Sequence, residues 1–97
     1  MMRPRLFQVE PKDDFTVVLY YDSGEIKIYD CSWILKESGV FLKIHDLSAF
    51  KETCTIMNGT LAFDISYVRD PYNCIDICPD TVYEESIAAQ LYSSKVV

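Results

Sequence analysis

The sequence is poor in the residues from which most enzyme sites are built. It has one histidine, His45, and three glycines. A Ser-His or Cys-His pair would have to use that single imidazole. It lies in "KIHDL", where Asp46 is placed to open a helix, so it reads as a surface or cap residue. Two of the glycines, Gly24 and Gly59, are needed by hairpin turns, which leaves no glycine-rich cradle for a phosphate. Neither G-x-S-x-G nor H-E-x-x-H occurs. A non-enzyme without a cofactor is therefore the expectation, and a catalyst using His45 or Cys78 ranks behind every binding role.

Positive charge is also scarce. Nine Lys and Arg stand against fifteen Asp and Glu, a net charge of −6, which repels nucleic acid and anionic lipid and favours a basic protein partner. No run approaches the ~18 apolar residues of a membrane span. The opening "MMRPRLFQVEPKDD" carries no apolar stretch of signal-peptide length, so a cytoplasmic protein off the membrane is expected. In that reducing compartment Cys31, Cys54, Cys74 and Cys78 are expected as free thiols. The C-x3-C spacing of Cys74 and Cys78 is not that of a zinc knuckle or a thioredoxin-like pair, and no histidine stands near enough to complete a metal site. Asp64, Asp70, Asp76 and Asp80 do not match a calcium loop and read as turn, cap or solvent residues.

What the chain does have is hydrophobic and aromatic density, 49% and 13% of its residues. At 97 residues it is expected to form one domain, residues 1–97. "RLFQVEP" reads as a short strand. "FTVVLYY" and "EIKIYD" read as a hairpin around Asp22-Ser23-Gly24 with Tyr21 facing Glu25. In that register Val18 and Tyr20 lie beside Ile26 and Ile28 on an apolar face, with Glu25 and Lys27 on the other. "DCSWILKESG" holds one or two helical turns around Trp33, expected as a core residue, and ends at Gly39. A second short helix opens at Asp46 or Ser48.

The strongest local signal is "TCTIMNGTLAF". Asn58-Gly59 between two β-rich runs specifies a two-residue type I′ turn, pairing Ile56 with Leu61 and Cys54 with Phe63 on an apolar face. "CIDI" supplies one more strand, with Ile75 and Ile77 in the core. "DTVYEESIAAQLY" places Tyr83, Ile87 and Leu91 at helical spacing behind a capping box at Thr81 and Glu84, and reads as a closing amphipathic helix. The expected fold is α+β: a small antiparallel sheet of about five strands in hairpins, two short central helices and a C-terminal helix.

Between Asp64 and Asn73, "DISYVRDPYN" breaks every periodicity and reads as a surface loop of about ten residues. Tyr67, Arg69, Asp70 and Tyr72 are the candidate binding residues, because Tyr and Arg are enriched in interface hot spots and a loop position frees them from core duty.

The order of "DDFTVVLYYDSGEIKIYD", "GVFLKIHDLSAFKETCTIMNGTLAFD" and "DICPDTVY" resembles the bacterial family catalogued as domain of unknown function 2442, over about residues 6–86. Gly24, Phe41, Asp46, Phe50, Gly59, Phe63, Asp76, Pro79, Asp80 and Tyr83 take the family's pattern positions, and the closing Asp-Ile-Cys-Pro-Asp is the most specific part. The "ISYVRDPYN" segment is longer than the pattern allows. The resemblance implies a small α+β domain, in some members followed by a helix-turn-helix that is not found here, so DNA binding is not carried over. It also implies that members stand beside another small protein in toxin-antitoxin-like pairs, and it brings no catalytic residues.

Two roles follow as expectations. The first is a non-catalytic protein-interaction module, antitoxin-like or accessory, with a basic partner. The second is an oligomeric small-molecule binder in which Arg69 and the loop aromatics capture an anionic metabolite or nucleotide. Exposed sheet edges offer a route to a homodimer in either case.

Overall fold

The computed structural model describes residues 3–90. Among them seven strands form two antiparallel sheets, with two short α-helices and two 3-10 turns between. The first sheet has the order β1-β2-β3-β7: Leu6–Pro11, Thr16–Tyr21, Ile26–Asp30 and Ile87–Ala88. The second has the order β4-β5-β6: Cys54–Met57, Thr60–Phe63 and Ile75–Asp76. The α+β class is as the sequence implies, although two sheets stand where one was expected.

In β1 the pairing slips between Leu6 and Gln8, so that Leu6 faces Tyr21 and Gln8 faces Tyr20. This bulge takes Phe7 out of the alternation and leaves it 59% exposed. It also lets Leu6 and Val9, three residues apart, both reach the core. The β2–β3 register is the expected one, Val18 facing Ile28 and Tyr20 facing Ile26. The side that packs inward is the opposite one. Val17, Leu19, Tyr21 and Tyr29 belong to the core cluster, whereas Ile26 is 45% exposed.

Lys27 therefore lies on the inward side of β3, across from Leu19. It is accommodated because its Nζ sits 4.0 Å from the Tyr83 ring centroid and donates to the Tyr83 carbonyl at 2.6 Å. The Tyr83 hydroxyl donates to the Glu25 carboxylate at 3.0 Å, so one tyrosine clamps the segment after β6 to this hairpin.

Between the sheets, Ser32–Lys36 and Gly39–Ile44 form 3-10 turns, and Leu47–Thr53 forms α1. Asp46 caps α1 by accepting from the Ala49 amide at 3.2 Å. Trp33 packs half-buried against the core, its ring 5.5 Å from that of Phe41, and its indole N–H donates to the Tyr29 hydroxyl. His45 Nε2 lies 2.9 Å from the Ile34 carbonyl and ties the two turns together, and its backbone amide, donating to the Leu42 carbonyl at 3.4 Å, makes it the C-cap of the second turn.

Asn58 (φ 55°) and Gly59 (φ 77°) make the β4–β5 turn left-handed at both central positions, as the type I′ geometry requires. Ile56 faces Leu61 and Cys54 faces Phe63 as expected. Every residue of β5 is buried, and Phe63 stacks 5.2 Å from Phe50 of α1. Ile75 and Ile77 are both 8% exposed and do join the core.

The closing segment corrects two expectations. The helix α2 runs Pro79–Glu85 with Cys78 at its N-cap and no side-chain cap bond, so Thr81 and Glu84 form no capping box. Proline at the first helical position starts the helix earlier, its missing N–H falling where none is needed. The helix then stops at Glu85, and Ile87–Ala88 pairs with Ile28 and Lys27 as the edge strand β7. Ile87 follows the helical spacing of Tyr83, yet the backbone has changed to a strand before it. Leu91 lies outside the described residues.

Candidate functional site

The loop between β5 and β6 is built around one carboxylate. Asp64 is 7% exposed, and its amide donates to the Thr53 carbonyl at 2.8 Å, which fixes the loop's start against the end of α1. Its Oδ1 accepts from both the amide and the hydroxyl of Ser66. Its Oδ2 accepts from the Arg69 amide at 2.8 Å. The Ser66 hydroxyl holds the carboxylate below the usual aspartate range against the opposing effect of burial, with the Arg69 and Ser66 amides adding to the lowering.

This knot permits a backbone that the sequence alone would not choose. Tyr67 (φ 62°) and Arg69 (φ 56°) are left-handed without being glycine. Such a conformation costs roughly 1–2 kcal/mol per residue and is tolerated where surrounding bonds over-determine it. Ser66 Oγ also accepts from the amides of Val68 and Asp70, at 3.2 Å each.

The four sequence candidates are thus brought into one loop but divide in role. Tyr67 is 61% exposed and Tyr72 98%. Arg69 is turned back: its guanidinium donates to Thr55 Oγ1 at 3.1 Å and to the Ile56 carbonyl at 3.2 Å, bracing the loop on β4. The Asp70 carboxylate accepts from the Tyr72 amide at 3.0 Å, an Asx turn that sets the second bend. Asn58 of the hairpin turn reaches the Pro71 carbonyl at 3.4 Å. The loop is a braced platform on which Tyr67, Val68 and Tyr72 stand exposed, and these three are called its crest below.

Val68, 77% exposed, is the crest residue that sequence reasoning did not single out. A valine in a polar loop carries no binding signature, and only the bends on either side show that it points outward. Asp64 was read as an ordinary turn aspartate. The Asp-x-Ser spacing of an Asx turn was its available signal.

The cysteines are free, and they differ in character. Burial pushes the Cys54 thiol up to about 12 and that of Cys31 higher still. Cys78 is exposed, and the nearby Thr81 and Asp80 amides with the Thr81 hydroxyl, which face its sulfur without closing a cap hydrogen bond, draw its pKa below the ordinary thiol value. Among the described residues no group of three or more His, Cys, Asp or Glu side chains converges to hold a metal ion. No helix among them is long and apolar enough to cross a membrane.

Comparison with protein families places residues 7–88 on the model described as "Protein of unknown function (DUF2442)". The chain belongs to this family. Comparison with curated proteins and with solved structures gave no significant match. In this family member the matched span contains the whole braced loop and starts after Arg3 and Arg5.

Several residues on which the sequence resemblance rests do fold-making work here. Gly24 (φ 93°) and Gly59 turn the hairpins, Asp46 caps α1, Phe50 and Phe63 fill the core, and Tyr83 clamps α2 to Lys27 and Glu25.

Proposed function

We propose that this chain is a non-catalytic protein-interaction module whose contact surface is the Tyr67, Val68 and Tyr72 crest. The observation that carries the reading is that three large apolar side chains, 61 to 98% exposed, stand on a loop braced internally by Asp64, Ser66 and Arg69. Large apolar groups held exposed on one loop are candidates for an interaction site. Bracing them in advance removes part of the ordering cost of association. The charge of −6 selects a basic protein, and an antitoxin-like or accessory role beside a small basic neighbour agrees with that charge and with the chain's size.

The small-molecule alternative draws less support at this loop. Arg69, its anion-holding residue, already donates to Thr55 and Ile56.

The test is to identify the protein captured by this chain, purify it, and measure its affinity for the wild type and for Tyr67→Ser/Tyr72→Ser. Each tyrosine at a hot spot contributes about 2 kcal/mol, so the double variant should bind at least about a hundredfold more weakly with its fold unchanged. An undiminished affinity in that variant sinks the reading. Binding should also weaken with added salt, as attraction to a basic partner requires.

A further inference from the structure

Two of the chain's three arginines, Arg3 and Arg5, line one cleft of about 410 Å³ in a protein whose net charge is −6. Both side chains belong to exposed residues, and they precede the strand that enters the core at Leu6. The cleft lies where β1 and β2 meet the β4–β5 turn and the start of α2. Its walls are mainly apolar, with Leu6, Tyr21, Ile56 and Val82 among them. A recess of this size, apolar within and carrying a few polar groups, is the usual form of a small-ligand site.

We infer that this cleft binds a small organic monocarboxylate, with its apolar body against Pro4, Ile56 and Pro79, the half-buried apolar residues of the wall, and its carboxylate on Arg3 and Arg5. The guanidinium fork matches a carboxylate in plane and spacing. Arg3 already shows the preference: its Nη1 holds the Asp80 carboxylate at 2.6 Å. That pair is open to solvent, 38% and 67% exposed, and exposed pairs of this kind are weak enough to exchange for an incoming carboxylate. The Arg5 guanidinium makes no ion pair among the described residues, and Asp22 accepts from the Arg5 backbone amide. The apolar walls disfavour a bare inorganic anion, which would leave them wet, and the two guanidinium groups disfavour a cation. The site shares no residue with the Tyr67 to Tyr72 crest, so either can fail without the other.

Three probes with the same tail separate head-group recognition from greasiness: octanoate, octanol and octylammonium, each titrated into the ¹⁵N-labelled full chain and followed by NMR. Octanoate should produce saturable shifts at the amides of Leu6, Tyr21, Thr60 and Val82. Octanol should bind about tenfold more weakly, the usual consequence of losing one charge-assisted hydrogen bond, and octylammonium not at all. Arg5→Gln should weaken octanoate about tenfold and leave octanol unchanged, because that side chain reaches only the head group. Asp80→Asn should tighten octanoate by removing its competitor on Arg3. Equal affinity for octanoate and octanol, indifference to Arg5→Gln, shifts centred elsewhere, or no saturation at millimolar octanoate would each overturn the site.

Discussion

The two hairpins, β2–β3 and β4–β5, were equally legible in register and unequally legible in orientation. In β4–β5 the face with Ile56, Leu61, Cys54 and Phe63 packs on the core, as alternation implies. In β2–β3 the pairing is as expected, yet the face with Lys27 carries Val17, Leu19, Tyr21 and Tyr29 into the core cluster, while on the other face Tyr20 and Ile28 are half-buried, Ile26 is exposed and Val18 is buried outside that cluster. The difference lies in β2, "TVVLYY", which is apolar on both sides and leaves the choice to β3. There Ile26 and Ile28 outweigh Lys27 and Tyr29 in hydrophobicity, but the packing depends on partners. Tyr83 supplies a ring face and a carbonyl for the ammonium, which makes the inward lysine acceptable. A register can be read from a turn, whereas a face is decided by what covers it.

The comparison can be broken by substitution, beginning with the largest effect. Leu19→Ala, at a fully buried position, should cost about 2–5 kcal/mol in urea unfolding, whereas Ile26→Ala on the other face should cost under about 1. Similar costs at the two positions would mean that the other face is covered as firmly as the core. Lys27→Met tests the charged side of the same strand. Although it makes the inward face more apolar, it should destabilise by roughly 0.5–1 kcal/mol through loss of the cation–π contact.

The loop that leaves the second hairpin should respond in the opposite direction. Tyr67→Gly relieves a left-handed φ, so thermal unfolding should show it unchanged or stabilised by up to about 1 kcal/mol while partner binding falls. A clear loss of stability would mean that Tyr67 supports the fold and not only the crest. The smallest effect is one of pH. The Asp64 carboxylate is depressed below its ordinary value of 3.8, so its contribution is complete above that value and is lost as pH falls through the lower folded pKa. Exchange protection at the Arg69 and Ser66 amides should therefore decline in that acid window before the amides of β5 do.

The outline of the fold was legible because turns and caps are local chemistry. Asn58-Gly59, Gly24 and Asp46 each determine a bend or a helix start with few neighbours involved. The segment after β6 was misread for the complementary reason. Tyr83 and Ile87 keep a helical spacing, but Ile28 and Lys27 offer an open strand edge, and pairing with it displaces a helix too short to hold itself together. The candidate site was half legible. Loop position and residue type pointed to Tyr67 and Tyr72, while the inward turn of Arg69 depended on Thr55 and Ile56, fourteen and thirteen residues away.

The sequence by itself determined the α+β class, both hairpin registers, the first helix cap, the family and the loop that carries the crest, since these rest on neighbours along the chain. Only the tertiary structure decided which sheet face is core, that the closing helix gives way to a strand, that Arg69 braces and does not reach out, and that Arg3 and Arg5 line one mainly apolar cleft. Each of those depends on groups far apart in sequence competing for the same partner, and that competition is resolved only when the chain has folded.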